Sequence, residues 1–305
     1  MADAHPLAGR RVLVTGASGF IGGRLCERLM ALDAEVYATS RRPIAESSVV
    51  QWLPCDLVDF GATLDLFRVT RPEYVMHLAS HVVGHRNVEA VLPTFRSNLV
   101  STVNLLISSQ ESGCKRVVLT GSLEEPPPGP DWSVPSSPYA ASKHGASAYG
   151  RMFNALFGLS VVNLRVFMVY GPGQPDVNKL VPYVITSLLR GDKPKVGSGT
   201  REVDWVFIDD VVEAFLRASI ETSIGGQTID VGTGKLTTVR RVVELLYDMI
   251  QPDFVPELGA LGDRLMEQVR VADVASSYDK MRWRPQVDLR DGLSQTVEWY
   301  RSQPR

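Results

Sequence analysis

Residues 11–22 read Arg11-Val12-Leu13-Val14-Thr15-Gly16-Ala17-Ser18-Gly19-Phe20-Ile21-Gly22. A β-branched run enters a turn with a glycine at every third position, and an apolar helical pattern from Ile21 to Leu32 leaves it. Each glycine has a physical task. Gly16 permits the tight turn, Gly19 lets backbone approach a pyrophosphate, and Gly22 lets the helix pack closely on the strand. Ser18, Phe20 and Ile21 complete the loop. The helix start then offers free N–H groups and the positive end of its dipole to phosphate. This spacing, between the first strand and first helix of an α/β chain, predicts a dinucleotide site.

Short apolar runs continue at Val36–Thr39, Val75–Ala79, Val117–Thr120 and Val161–Val166, with helical patterns between them. Strands alternating with helices imply right-handed crossovers and a parallel sheet. The expected fold class is therefore α/β, a doubly wound parallel sheet of the Rossmann type with a smaller C-terminal substrate-binding lobe. Residues 1–170 read as the dinucleotide-binding domain. Residues 171–305 read mainly as the substrate lobe, interleaved with late elements of the main sheet. Pro126–Pro130 reads as a loop, and glycine and proline punctuation rises after Tyr170. Amphipathic helices are expected at Val239–Ile250 and Asp291–Ser302.

The composition of the 305-residue chain excludes several function classes. A net charge of −2 with 22% charged residues lacks the basic excess of a nucleic-acid binder. No apolar run reaches the roughly 18 residues that a membrane span needs. The polar N-terminus lacks a signal-peptide core, so a cytoplasmic location is expected. Cys26, Cys55 and Cys114 show neither metal nor disulfide spacing and read as buried small hydrophobes. The five scattered histidines show no metal spacing either.

Cofactor choice is read from the end of the second strand, V-Y-A-T-S-R-R. A carboxylate at this point holds the ribose 2′-hydroxyl of NAD and repels a 2′-phosphate. Ser40 stands there instead, followed by Arg41 and Arg42, whose guanidinium groups suit phosphate. NADP(H) is favoured and NAD(H) is the alternative; solvated surface arginines are the plainer reading of the pair. Asp56 and Leu57 are placed to contact the adenine.

Ser137–Lys143 reads S-P-Y-A-A-S-K. On a helix Tyr139 and Lys143 lie one turn apart on one face. A phenol titrates near 10, and a neighbouring ammonium is expected to lower that value. Such a pair moves a proton to or from a substrate oxygen.

The G-A-S-G-F-I-G loop, Y-A-A-S-K, L-R-V-F-M-V-Y-G-P-G and V-D-W-V-F-I-D-D-V, in that order, resemble the extended short-chain dehydrogenases. That family includes sugar-nucleotide epimerases, dehydratases, decarboxylases and ketoreductases. The resemblance spans Arg11 to about Tyr300. It implies that Ser122 hydrogen-bonds the reacting oxygen, that Leu78 and Ala79 pass the cofactor, and that Lys143 holds the nicotinamide ribose. It places Asn98 on a helix supporting the cofactor site, with His77 as packing. The helices at Thr94–Ser108 and Pro138–Phe157 match those of a four-helix interface, which implies a homodimer.

The branches of the family differ just after Ser122. Dehydratases carry an Asp-Glu pair there, whereas this chain has Leu123-Glu124, so dehydration is disfavoured. Glu124 is a candidate for proton transfer or substrate recognition, or is an exposed loop carboxylate. T-G-S-L-E-E also resembles reductases of nucleotide-linked 4-keto-6-deoxy sugars. Together with Arg41 and Arg42, this points to an NADP(H)-dependent ketoreductase, with a sugar-nucleotide 4-epimerase as the alternative. In the substrate lobe, Met168 replaces the usual Asn, and Arg201 is displaced by two residues from the usual Arg at Val203. Arg264 matches the later phosphate-contacting Arg, and Lys179 and Lys193 are further sources of charge. A reductase of a non-sugar carbonyl therefore stays open. A non-catalytic cofactor sensor is disfavoured because Tyr139 and Lys143 are both present.

Overall fold

The computed structural model describes residues 4–41, 50–82, 86–127, 134–253, 255–262 and 268–303. The first half runs β1 (Arg11–Thr15), α1 (Phe20–Met30), β2 (Glu35–Ser40), β3 (Gln51–Pro54), α2 (Phe60–Thr70) and β4 (Tyr74–His77). Next come α3 (Val91–Thr94), a π-helical stretch (Phe95–Val100), α4 (Ser101–Glu111), β5 (Arg116–Ser122), α5 (Pro138–Phe157) and β6 (Val161–Val166). The rest comprises β7 (Met168–Tyr170), α6 (Leu180–Leu189), β8 (Glu202–Phe207), α7 (Ile208–Ile220), β9 (Thr228–Val231), β10 (Leu236–Thr238), α8 (Val239–Ile250), α9 (Val274–Met281) and α10 (Leu289–Ser302).

Seven strands form one sheet in the order β3-β2-β1-β4-β5-β6-β9, every pair parallel. The chain winds outward from β1 in one direction, then crosses to β4 and continues in the other. The carboxyl ends of β1 and β4 therefore diverge around a crevice, where Thr15 faces His77 in the register. A second sheet, β10-β8-β7, stands beside it. The doubly wound sheet expected from the sequence is present, and β9 joins it from late in the chain. The short β3 went unseen because Gln51-Trp52-Leu53-Pro54 has no apolar alternation and sits at a sheet edge.

Local signals set the helix that carries the Tyr–Lys pair. The Ser137 side chain caps α5 by accepting from the Ala140 N–H, Pro138 occupies the first turn, and Gly158 ends the helix at φ 71°. Thr94–Ser108, expected as one regular helix, instead holds the π-helical stretch around the buried Asn98.

Two layers of apolar side chains pack on the sheet faces, and the fully buried Phe67, Phe207, Phe215 and Trp283 anchor them. Each buried aliphatic or Phe side chain contributes about 1.5–3 kcal/mol. Buried polar groups tie the late segments to this core. Arg116 donates to the carbonyls of Ala218 (3.0 Å) and Glu221 (2.6 Å), closing the carboxyl end of α7. The acids of V-D-W-V-F-I-D-D-V do the same. Asp204 accepts from the backbone N–H groups of Thr233, Gly234 and Ala272 at 2.6, 2.9 and 3.0 Å. Asp210 accepts from Gln286 and Val287, and the half-buried Asp209 pairs with Arg24 at 2.7 Å. Among the described residues no helix is long and apolar enough to cross a membrane.

Candidate active site

A cleft of about 1330 Å³ runs over the carboxyl ends of the sheet strands and on under β7, β8 and α6. Its first half is built on the glycine turn. Gly16 has φ +68°, and a Cβ there would lie 2.6 Å from the Ala79 nitrogen. A Cβ on Gly22 would lie 2.2 Å from the Gly16 carbonyl oxygen. Both positions thus exclude any side chain. Gly19 begins α1 without a side-chain cap, and the first turn holds no acid, so the helix start keeps donors for an anion. Ser18, Gly19, Phe20, Ile21, Ser40, Arg41, Asp56, Leu57, Leu78 and Ala79 all line this half. Arg42 lies outside the described residues. This cradle fits a dinucleotide pyrophosphate on geometric grounds: close backbone approach, exposed N–H groups and no competing carboxylate.

Ser122, Glu124, Tyr139 and Lys143 meet in the cleft wall where the halves join. Ser122 ends β5, and its side chain hydrogen-bonds Tyr139. The Lys143 ammonium lies 5.8 Å from the Tyr139 ring centroid and donates to the Thr120 carbonyl at 2.7 Å. Burial pulls Lys143 down to about 8, opposed by the negative charge of Glu125. Burial pushes the Tyr139 phenol well above its usual value. The Ser122 hydrogen bond opposes that shift, while Glu124 and Glu125 reinforce it. This corrects the expectation that Lys143 lowers the phenol. Desolvation is the largest influence on the phenol, and the ammonium donates to a carbonyl instead.

Glu124 lines the cleft half-buried; its backbone N–H donates to the Ser122 hydroxyl, and its carboxylate accepts from Ser137 at 3.3 Å. Asn98 does not line the cleft. Its side chain accepts from the His81 N–H at 2.6 Å and donates to the Ser142 hydroxyl at 3.1 Å, bracing the loop after β4 against α5. The π-helical turn carries it there. His77 is buried beneath the loop, and burial, with Lys143 repulsion behind it, pulls it down to about 3.

In the second half, Met168, Lys179 and Arg201 line the wall. Lys179 stands 4.0 Å from Asp176, and Arg201 reaches the Gln268 carbonyl at 3.5 Å. Lys193 pairs with Glu257 and does not line the cleft, and Arg264 lies outside the described residues. Arg96 and Lys195 also line the cleft, and so does the thiol-bearing Cys55. Neither cation stands in a motif, so spacing alone gave no signal for them. Glu125, one residue beyond the cleft lining, is 2% exposed; it closes the T-G-S-L-E-E stretch, which gave it no role of its own.

Residues 12–232 match the NAD dependent epimerase/dehydratase family. A UDP-glucose 4-epimerase of Mycolicibacterium smegmatis is 34% identical, over 96% of this chain and 99% of its own length. A UDP-glucuronate 4-epimerase of Thermodesulfobacterium geofontis is 29% identical over 94% and 95%. Among solved structures, the UDP-glucose 4-epimerase of Thermotoga maritima with UDP-glucose superposes with a TM-score of 0.86 at 27% identity, covering 95% of this chain and 98% of that one. The Thermus thermophilus UDP-glucose 4-epimerase in complex with NAD gives 0.84 at 28% identity, covering 96% and 99%.

Proposed function

The chain belongs to the NAD-dependent epimerase/dehydratase family, and from that premise we propose that it inverts C4 of a nucleotide-linked hexose. The observation that carries this reading is that Ser122, Tyr139 and Lys143 meet in one cleft with the glycine cradle, while Leu123 stands where dehydratases carry an acid. A ring oxidised at C4 then has no acid at that position to eliminate water, and it is reduced again in place.

The cradle of Gly16, Gly19 and Gly22 would hold the pyrophosphate of NAD, with Ser40, Asp56 and Leu57 at the adenosine and Leu78, Ala79 and Lys143 near the nicotinamide ribose. When bound, the nicotinamide supplies the hydride acceptor and donor. Tyr139 takes the proton from the C4 hydroxyl and returns it to the carbonyl oxygen. Ser122 steadies that oxygen through a hydrogen bond. Lys143 keeps positive charge beneath the phenol. Lys179, Arg201 and Lys195 supply charge for the substrate diphosphate.

A second reading, net NADP(H)-dependent reduction of a nucleotide-linked 4-keto-6-deoxyhexose, is favoured by one feature. Ser40 and Arg41, rather than a carboxylate, stand at the end of β2, where NAD-preferring sites hold the ribose 2′-hydroxyl. Both readings are tested on the purified protein by NMR. Interconversion of UDP-glucose and UDP-galactose with no net use of cofactor supports epimerisation. Stoichiometric NADPH oxidation on the keto sugar, without interconversion, replaces it with reduction.

The same reading includes a homodimer. The outer face of α5 presents Ala141, Ala148, Tyr149, Ala155 and Leu156 exposed, interrupted by His144 and Arg151, beside the exposed Val91 and Phe95. The small side chains at helical spacing let a second helix pair approach closely.

A further inference from the structure

Glu125 is a buried carboxylate that the proton-transfer scheme does not use. One of its oxygens accepts from the Ser122 backbone N–H at 2.8 Å, and the other accepts from the Ser147 hydroxyl at 2.6 Å. Ser147 follows Lys143 by one helical turn on the same face of α5. The carboxylate therefore bridges the end of β5 to the helix that carries Tyr139 and Lys143. Gly121 leaves the room for it, since a Cβ there would lie 2.4 Å from the Glu125 oxygen. Charge buried this deeply is retained only where it is hydrogen-bonded and paired with opposite charge.

We propose that Glu125 is a positioning residue: it fixes Ser122 against α5 and supplies the negative charge that holds the Lys143 ammonium in the cleft wall. The inference rests on the reading of Ser122, Tyr139 and Lys143 as the proton-transfer group. The charged and titratable groups around it are Lys143 and Tyr139 on α5, Glu124 beside it, His77 on β4, and the Arg270–Arg165–Asp230 cluster, in which Arg270 feels Glu125. Removing one negative charge lowers the proton affinity of both Lys143 and Tyr139, so the direction of the effect does not depend on which of them holds the shared proton.

Two variants separate charge from geometry. Glu125→Gln keeps an acceptor for Ser122 and a partner for Ser147 but removes the charge. Ser147→Ala keeps the charge and removes one bond. The first readout needs no substrate: the 13Cε resonance of Lys143 in lysine-labelled protein, assigned by its absence in Lys143→Met. Its titration midpoint should fall by about one pH unit in Glu125→Gln and stay in place in Ser147→Ala. The second readout is turnover. Ser147→Ala should lower kcat several-fold with little change in KM, and Glu125→Gln should move the pH limb of kcat downward. An unmoved Lys143 midpoint in folded Glu125→Gln overturns the inference, whatever reaction the enzyme performs. If Glu125→Gln does not fold, unchanged kcat in Ser147→Ala overturns the positioning role. Loss of the proposed reaction alone, with the midpoint shifted, counts against the functional reading and leaves this one standing.

Discussion

Thr15 Oγ1 and His77 Nδ1 lie 2.7 Å apart at the facing ends of the two strands that open the cleft. The Thr15 hydroxyl also accepts from the Ala79 N–H, and a neutral ring protonated at Nε2 takes the Thr15 proton at Nδ1. The other ring nitrogen then donates to Thr102 at 3.0 Å, and Thr102 donates to the Asn98 carbonyl at 2.6 Å. This chain fits a neutral imidazole and runs from the glycine turn to the π-helical stretch.

The first prediction follows from that neutrality. Burial holds His77 at about 3 in the folded protein, below its ordinary 6.5. Above pH 6.5 both states are neutral and the folded protein keeps its full stability. As pH falls toward 3 the unfolded chain takes the proton and the folded one resists it, so stability drops by about 1.4 kcal/mol per pH unit from this group. Denaturant melts at pH 7.5, 6 and 5 should show the slope, and His77→Gln should flatten it. An equally steep slope in the variant would assign the loss to other groups.

Tyr139→Phe keeps the ring and removes the transferable proton. The rate of hydride transfer with saturating cofactor should fall about 10²–10⁴-fold, with cofactor affinity nearly unchanged. Lys143→Met should damage both. A Tyr139→Phe enzyme at native rate would shift the proton to another acid, with Glu124 the first candidate.

Arg41 lines the cleft rim exposed, with no ion pair among the described residues. On the reduction reading, NADPH should bind more tightly than NADH, and Arg41→Ala should narrow the difference by about 1.5–3 kcal/mol, roughly one to two orders of magnitude in affinity. Isothermal titration checks it, and equal affinities in the native protein would remove the role assigned to Ser40 and Arg41.

Light scattering should return twice the 33.5 kDa chain mass at micromolar concentration. Ala148→Arg, which sets a long charged side chain on the exposed face of α5, should return one chain mass while the far-UV circular dichroism is retained. A native protein that scatters as a single chain rules the interface out.

What was legible in the sequence is what neighbouring residues decide among themselves. The glycine turn needs positions three apart, and the Tyr139–Lys143 pair needs one helical turn, so both could be read directly. The sheet was legible for β1, β2, β4, β5 and β6, whose apolar runs are continuous because both faces are covered. The short β3 at the edge and β9 were not. Glu125 was illegible because its partner Ser147 lies 22 positions away, across a loop. Arg96 and Lys195 reach the cleft only through the tertiary path of α3, the π-helical stretch and the segment after α6. The fate of the phenol was misread because spacing reveals the ammonium but not the desolvation around it.

Asp204 draws the 232–234 turn and Ala272 onto β8 with hydrogen bonds of 2.6–3.0 Å, at 1% exposure. Three stretches of chain, far apart in sequence, are moored at one point behind the cleft wall. The strand ends that border the substrate half thus keep their alignment independently of the residues in front of them. Residues 255–262, whose Leu261 and Gly262 line the cleft, are moored separately, through backbone bonds from Gly259 and Leu261 to Gly197 and Val196. A substitution there meets the cleft's contents on one side while the strand ends keep their own anchor.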